Sequence, residues 1–274
     1  MLAQTSKGRA LTEAHRKAQI RNAGIYSARA GAAYNRLLNV EDLDGSALAL
    51  RVAMDQIAFE GNQRSVQLAR QYEAQFADAE GFEAPQVPPI ELNRGKLAAD
   101  VQVTGPVAVK KKIATGVAAD SAKADSLSLL MGTIKQSILN GGRDFIIGGT
   151  KVKYSGQHGR WRRITDGKPC AFCAMLASRG PVYSDVTVTF EAHPFCGCGA
   201  EQVVGDWEPT ELEAQWIGAY GDAAGAANKL GLSRTRQDTL WRMRRARPDL
   251  FNDGVLDPDK EWRLLKYPKQ TLKI

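Results

Sequence analysis

The stretch Pro169-Cys170-Ala171-Phe172-Cys173, followed after nineteen residues by His193-Pro194-Phe195-Cys196-Gly197-Cys198, contains all four cysteines of the chain and one of its three histidines. Two thiols that stand two residues apart can bind one metal ion from a tight turn. A second cluster of His and Cys can then complete a tetrahedral site from across a loop. The stretch therefore predicts a structural zinc site, and the rest of the chain is interpreted around it.

Five residues are candidate ligands, although a closed structural zinc site takes four. Cys170 and Cys173 come first because their spacing is the most regular, Cys198 and His193 come next, and Cys196 is the exchangeable member. The sequence leaves this order open.

The cysteines have three other possible interpretations. Disulfides require an oxidising compartment, and the first residues, Met1–Lys7, contain no apolar signal segment. Unligated core thiols would not be expected to fall in one window around a histidine. A catalytic zinc of the deaminase type needs a His-x-Glu upstream of the cysteines, whereas His158 is followed by Gly159 and Arg160. A structural zinc is therefore the prediction.

Three segments around the cysteines resemble the MuF-like minor head proteins of tailed bacteriophages, in particular those of phages that infect actinobacteria. They are Trp161-Arg162-Arg163-Ile164, the run from Cys170 to Tyr183, and the closing His193-x-x-Cys196-x-Cys198. The resemblance covers about residues 125–204. It departs from the family at Gly197, where a basic residue is common.

The resemblance implies a structural protein of the virion or procapsid, located in the phage head near the portal vertex. Such proteins are encoded beside the portal, are present in the host cytoplasm during assembly, and act in head morphogenesis. The implied partners are the portal and the major capsid protein, with several copies of the chain in each particle.

Length and composition are those of an ordinary globular protein. The chain has 274 residues, of which 43% are hydrophobic and 24% charged, which is enough for one sizeable core or two smaller ones. No window approaches eighteen uninterrupted apolar residues, so a membrane span is not expected.

The predicted fold class is mainly α (α+β). Apolar residues spaced by three and four predict long helices over about Leu11–Leu38 and Ala47–Ala79, joined into a hairpin with Ser46 as an N-cap. Gly105-Pro106 is expected to start a helix. The next helix is expected to be capped by Asp120 or Ser121 and to end at Gly141-Gly142. Two strands are predicted, over Trp161–Ile164 and Pro181–Phe190. Further helices are predicted over 206–228 and 234–247. The predicted segments are a helical hairpin (1–80), a Pro-rich linker (81–95), a helical segment (96–150), a zinc-knuckle module (151–205) and a helical and extended basic C-terminal arm (206–274).

The net charge of +7 lies mostly near the C-terminus, where residues 229–274 contain twelve Lys and Arg against six Asp and Glu. Basic side chains beside Trp241 and Trp262 could contact packaged DNA without sequence preference, or dock on an acidic protein surface. Lys110-Lys111-Lys112 is interpreted as a solvated face.

No catalytic residue is predicted. The alternative to a structural role is a capsid maturation protease, which would need a serine poised by a histidine. His15 lies in a helix stripe and His193 is a candidate ligand, which leaves His158. No Gly-x-Ser-x-Gly elbow is present.

Overall fold

The computed structural model describes residues 4–151, 153–154, 157–183, 190–203, 205–229 and 235–254. The chain divides into two compact units, Met1–Trp161 with Tyr183–Asp206, and Arg162–Val182 with Trp207–Ile274. The fold is mainly helical with small β elements, which confirms the predicted fold class.

Two long helices, α1 (Ser6–Leu37) and α2 (Leu43–Glu80), form an antiparallel hairpin in the first unit. Contacts along its length fix the register. The backbone N–H of Thr5 donates to Glu80, the hydroxyl of Thr12 lies 2.9 Å from that of Tyr72, and Asn22 donates to the carbonyl of Gly61. The hairpin prediction is therefore confirmed.

A third long helix, α5 (Ala119–Gly149), packs on both helices of the hairpin. It is antiparallel to α1, because the hydroxyl of Tyr34 donates to the carbonyl of Lys123 near one end and a Cβ on Gly142 would touch Gln19 near the other. The core where the three helices meet is apolar and centred on Tyr34, Leu50, Met54, Leu130, Ile134 and Ile138.

The chain between α2 and α5 returns along α2. It includes α3 (Arg94–Gln102), a π-helical turn (Val103–Val107) that kinks at Gly105, and α4 (Ala108–Ala114). Arg94 pairs with Asp55 at one end of this path, and Lys110 pairs with Asp44 at the other. These pairs hold α3 and α4 antiparallel to α2.

Four short strands follow: β1 (Lys153–Tyr154), β2 (Gln157–His158), β3 (Arg160–Ile164) and β4 (Gly199–Val203). β1 pairs antiparallel with β2, and β3 is the neighbour of β4 in a second two-stranded sheet. An apolar cluster around Trp161, Phe145, Phe76 and Tyr183 lies in the first unit.

The second unit contains α6 (Ala171–Ala177), α7 (Glu211–Lys229), α8 (Arg236–Ala246) and a 3₁₀ turn (Pro248–Leu250). Its core joins the three helices through Met175, Trp216, Leu240, Met243 and Phe251. Helices α7 and α8 were predicted, whereas α6 was expected to be a turn.

Several predicted boundaries are wrong. Gly141-Gly142 does not end a helix, because α5 continues to Gly149. The caps also differ. Asp42 rather than Ser46 caps α2 by accepting from the N–H of Gly45 at 2.9 Å, and the N-cap of α5 is Ala118, which makes no side-chain capping hydrogen bond. Gly105 and Pro106 do not start a helix, because they lie inside the π-helical turn that follows α3 directly along the chain. The strand expected over Pro181–Phe190 falls largely outside the described residues, although Tyr183 bridges to Trp161.

Candidate metal centre

Cys170 and Cys173 lie at the start of the short helix α6. Cys170 is the N-cap, with extended backbone angles, and its Sγ accepts a hydrogen bond from the N–H of Cys173 at 3.4 Å. The sulfur thus takes the place that a Ser, Thr or Asp oxygen occupies at most helix starts. The thiolate is the form of cysteine that binds metals.

Two charged side chains of the second unit hold this helix start. The Arg163 side chain, 1% exposed, points Nη1 at the Sγ of Cys173 over 3.8 Å. The carboxylate of Asp253 accepts from the N–H of Ala171 at 2.8 Å, and Arg244 donates to its other oxygen at 2.7 Å. The position of the Cys-x-x-Cys turn is therefore fixed by contacts from three different parts of the chain.

His193 to Cys196 form a tight turn in the first unit. The N–H of Cys196 donates to the carbonyl of His193 at 3.1 Å, and Phe195 has a positive φ of 66°. Proline at the second position and a positive φ at the third are the requirements of a type II turn. The Nδ1 atom of His193 lies 2.7 Å from the carbonyl oxygen of Pro194, and a proton on Nδ1 leaves the lone pair of Nε2 for a metal.

The turn packs against one face of α5. Gln136 donates to the carbonyl of Ala192 at 2.7 Å, and a Cβ on Gly132 would lie 2.9 Å from the ring of Phe195. Arg143, which is buried, donates to the carbonyl of Cys196 at 2.8 Å and to that of Cys198 at 2.7 and 3.0 Å. Its guanidinium also lies 4.5 Å from the ring centre of Phe190. A residue fifty positions upstream therefore orients both cysteines of this segment.

The five predicted ligands are the residues that could hold a metal ion. Cys170 and Cys173 belong to the second unit, and His193, Cys196 and Cys198 belong to the first. Their chemistry suits zinc, which prefers thiolate and imidazole ligands. Cys173, Cys196 and Cys198 are buried, and His193 is exposed. The donor set thus fits the predicted cofactor.

The comparison with family models gives a match for residues 9–223, to the family described as VG15 protein. The chain belongs to the VG15 protein family. Membership of VG15 indicates a phage-encoded protein, and the match extends from α1 through α7. No curated protein and no solved structure matches the chain. Among the described residues, no helix combines the length and apolar character that crossing a membrane requires.

Sequence reasoning overlooked the residues of this VG15 chain that support the cysteines. Arg163 belongs to the segment Trp161–Ile164 that carries the family resemblance, but the sequence gives it no role, and nothing in the sequence points to Arg143 or Asp253. Arg143 follows two glycines that suggested a helix end, so no local pattern pointed to it. Asp253 lies 82 positions from its partner Ala171, beyond the reach of any spacing rule.

The other two histidines, His15 and His158, lie in α1 and β2. His15 is buried in α1 and stacks on Tyr72 with ring centres 4.4 Å apart. Burial lowers the pKa of His15 to about 4, and a hydrogen bond with the Leu68 backbone raises it slightly. His158 lies in β2, and its side chain is outside the described part of the structure.

Proposed function

We propose that the protein is a MuF-like minor capsid protein of a tailed bacteriophage, which binds portal or capsid subunits during head assembly. The observation that carries the proposal is the family match over residues 9–223 together with the cysteine motif. The family indicates a phage-encoded protein, and the motif narrows it to the head proteins that the sequence resembles. The proposed location is the phage head near the portal vertex.

The test is quantitative mass spectrometry of gradient-purified procapsids and mature virions of the phage that encodes the chain. The expected result is intact protein in constant proportion to the portal in both particles, which also gives its copy number. Absence from both particles would overturn the proposal. A fixed ratio to the portal, rather than to total particle protein, would identify the portal vertex as the location.

We further propose that the centre holds one structural zinc ion through the thiolates of Cys170, Cys173, Cys196 and Cys198. The sequence ranked Cys196 last, but Cys196 is buried whereas His193 is exposed, which favours Cys196 as the fourth ligand. Four protein ligands leave no open position for water, so the ion would stabilise the protein rather than activate a substrate.

Zinc content of the purified protein tests this ligand set. Wild type is expected to contain one zinc per chain by elemental mass spectrometry, Cys196→Ser to lose it, and His193→Ala to retain it. The opposite pattern would make His193 the fourth ligand. Absence of zinc from wild-type protein purified without chelator would overturn the metal proposal and leave the head-assembly proposal to its own test.

We propose no enzymatic activity, and the protease alternative is tested at His158. His158→Ala is expected to leave the processing of capsid precursors unchanged in infected cells, as followed by gel electrophoresis of head proteins. Loss of processing with normal incorporation of the variant would favour the protease.

A further inference from the structure

The segment that follows α8 folds back onto the start of α6, within the second unit. Leu250 and Phe251 are buried in the same apolar core as helix α6. The backbone N–H of Asn252 then donates to the carbonyl of Pro169 at 3.0 Å. We call residues 248–253 the clasp segment, because they are anchored in that core and end at the residues that begin α6.

Arginines of α8 make internal contacts in the second unit. Arg242 donates to a backbone carbonyl of α7 at 2.9 Å, and Arg245 lies over the ring of Trp241. Arg244 pairs with a carboxylate of the clasp segment. The described part of the predicted basic arm therefore uses these arginines within the protein, and residues 255–274 of that arm lie outside the described range.

Asp253 satisfies a backbone donor at the start of α6. A helix leaves its first N–H groups without partners inside the helix. The N–H of Cys173 donates to the Sγ of Cys170 at 3.4 Å. The N–H of Ala171 donates to Oδ1 of Asp253 at 2.8 Å, and the Nε of Arg244 donates to Oδ2 at 2.7 Å. A helix of seven residues has little stability by itself, so these contacts decide where α6 begins.

The first turn of α6 sets the separation of two thiols. The Sγ atoms of Cys170 and Cys173 lie within 4.8 Å of each other. Two thiolates on one tetrahedral zinc ion, each at about 2.3 Å from the metal, are about 3.8 Å apart. The pair is therefore close to the separation that one ion requires. A distortion of this turn would move the sulfurs relative to each other, because one belongs to the N-cap residue and the other to the third residue of the helix.

The clasp segment lies beyond residues 9–223, the part of the chain that matches the VG15 family model. Cys170 and Cys173 lie inside the matching part, whereas Arg244 and Asp253 lie outside it. The metal centre of this chain can therefore be adjusted by residues that the family model does not include.

From these contacts we propose that Asp253 is a positioning residue of the metal centre, and that the clasp segment sets the zinc affinity of Cys170 and Cys173. The proposal rests on the structural zinc ion proposed above. Asp253 acts through the backbone of Ala171 rather than as a ligand. Its negative charge is paired with Arg244, so it does not repel the thiolates as a bare carboxylate would. Groups that orient the ligands of a metal typically change its affinity by about 10- to 100-fold.

The test is the zinc affinity of the full chain, measured by competition with a chelating dye. Asp253→Ala removes the acceptor for the Ala171 N–H and the partner of Arg244. It is expected to weaken zinc binding by roughly 10- to 100-fold. Asp249→Ala is the matched control, since Asp249 is an exposed acid of the same segment that pairs with Arg247. The control is expected to bind zinc as tightly as wild type.

A double variant separates positioning from charge. In Asp253→Asn with Arg244→Gln, the Asn side chain still accepts from the N–H of Ala171 and donates its amide to the Gln side chain, and neither side chain is charged. The double variant is expected to recover most of the zinc affinity that Asp253→Ala loses. A loss as large as that of Asp253→Ala would overturn the proposal.

Site-resolved alkylation distinguishes positioning from a general loss of stability. At saturating zinc, Asp253→Ala is expected to raise the alkylation of Cys170 and Cys173 above that of Cys196 and Cys198, as followed by peptide mass spectrometry. An equal rise at all four cysteines would overturn the proposal. If wild type binds zinc and Asp253→Ala binds it equally well, the clasp proposal alone fails. If wild type contains no zinc, the zinc proposal fails and the clasp proposal fails with it.

Discussion

The two compact units of this VG15 protein are stabilised in different ways. In the first, three long helices bury an extensive apolar core, and small residues let them approach closely. In the second, the helices are shorter, and polar contacts such as Asp253 with Ala171 and Arg162 with Glu213 hold the ends of the elements. The comparison indicates that the first unit depends on packing, and the second more on hydrogen bonds and paired charges.

Removal of the proposed zinc ion should have the largest effect, and a selective one. Structural zinc contributes on the order of 10 kcal/mol to folding. We expect a chelator, or Cys173→Ser, to disorder the second unit and to leave the long helices of the first unit largely folded. Trp207, Trp216 and Trp241 lie in the second unit, so tryptophan fluorescence should shift strongly. The far-UV circular dichroism should retain most of its helical signal.

Zinc added back in excess should restore the fluorescence of the wild type but not of Cys173→Ser. Parallel loss of both signals would contradict the comparison, because it would mean that the first unit also depends on the metal.

Glu213→Gln should be the most destabilising single charge change in the second unit. The carboxylate of Glu213 pairs with buried Arg162 and also accepts from the N–H and hydroxyl of Thr210 at 2.9 and 3.0 Å. A buried guanidinium left without its counter-charge costs about 3 kcal/mol. Urea unfolding followed by tryptophan fluorescence should show a loss of that order. A change under 1 kcal/mol would indicate that Arg162 finds other compensation.

The same substitution in the first unit should have the opposite sign. Glu73 is 2% exposed, and within the described part of the chain neither of its carboxylate oxygens has a hydrogen-bond partner. Burial, and secondarily the neighbouring Glu201, raise the pKa of Glu73 to about 8. A raised folded pKa means that the carboxyl contributes its full stability below about pH 4.5 and loses it progressively up to about pH 8.

Glu73→Gln should therefore stabilise the first unit on the order of 1–3 kcal/mol at pH 8 and change little at pH 4.5. Urea unfolding followed by circular dichroism at both pH values measures the difference. Glu41→Gln, which changes an exposed carboxylate, is the control and should have no effect at either pH. Destabilisation at pH 8 would show that the Glu73 carboxylate is ionised and compensated.

The sequence predicted the existence of the long helices better than their ends. The apolar residues spaced by three and four in the two segments, Leu11–Leu38 and Ala47–Ala79, predicted the helices, because each helix buries one side along its length. Gly141-Gly142 misled because glycine ends helices in most sequence patterns. Here a Cβ on Gly141 would lie 2.8 Å from the Asn62 carbonyl oxygen, and one on Gly142 would lie 2.4 Å from Gln19. These glycines are required by neighbouring helices, which one local window cannot reveal.

For the candidate site too, the sequence predicted local features better than contacts between distant parts of the chain. The Cys-x-x-Cys and His-x-x-Cys-x-Cys spacings identified all five candidate ligands, since local chain geometry decides which donors can share an ion. Arg143, Arg163 and Asp253 could not be found because their partners are brought to them by the tertiary fold. The segment of helix α6 was predicted to be a turn. Its N-cap is Cys170, and cysteine is uncommon at this position, so the sequence contains no ordinary signal for a helix start.

Gly141→Ala tests whether close helix approach stabilises the first unit. Alanine gains about 1 kcal/mol of helix propensity over glycine, but the new methyl group would meet the backbone of Asn62 at 2.8 Å. Overpacking of this kind costs about 1–3 kcal/mol. We expect a net loss of stability in urea unfolding followed by circular dichroism. A gain would mean that α2 and α5 can separate without cost.

Gly218→Ala in α7 is the matched substitution in the second unit and should give the smallest effect, with the opposite sign. Among the described residues, no atom lies within 4 Å of a Cβ built on Gly218, so the new methyl group meets no described neighbour, and alanine reduces the conformational freedom of the unfolded backbone. The expected gain is about 0.5–1 kcal/mol, measured by the tryptophan fluorescence of the second unit in urea. If Gly218→Ala instead destabilised the protein while zinc content was unchanged, α7 would have a close neighbour at this point. The two units would then not differ in this respect, because close packing would require glycine at Gly218 as it does at Gly141.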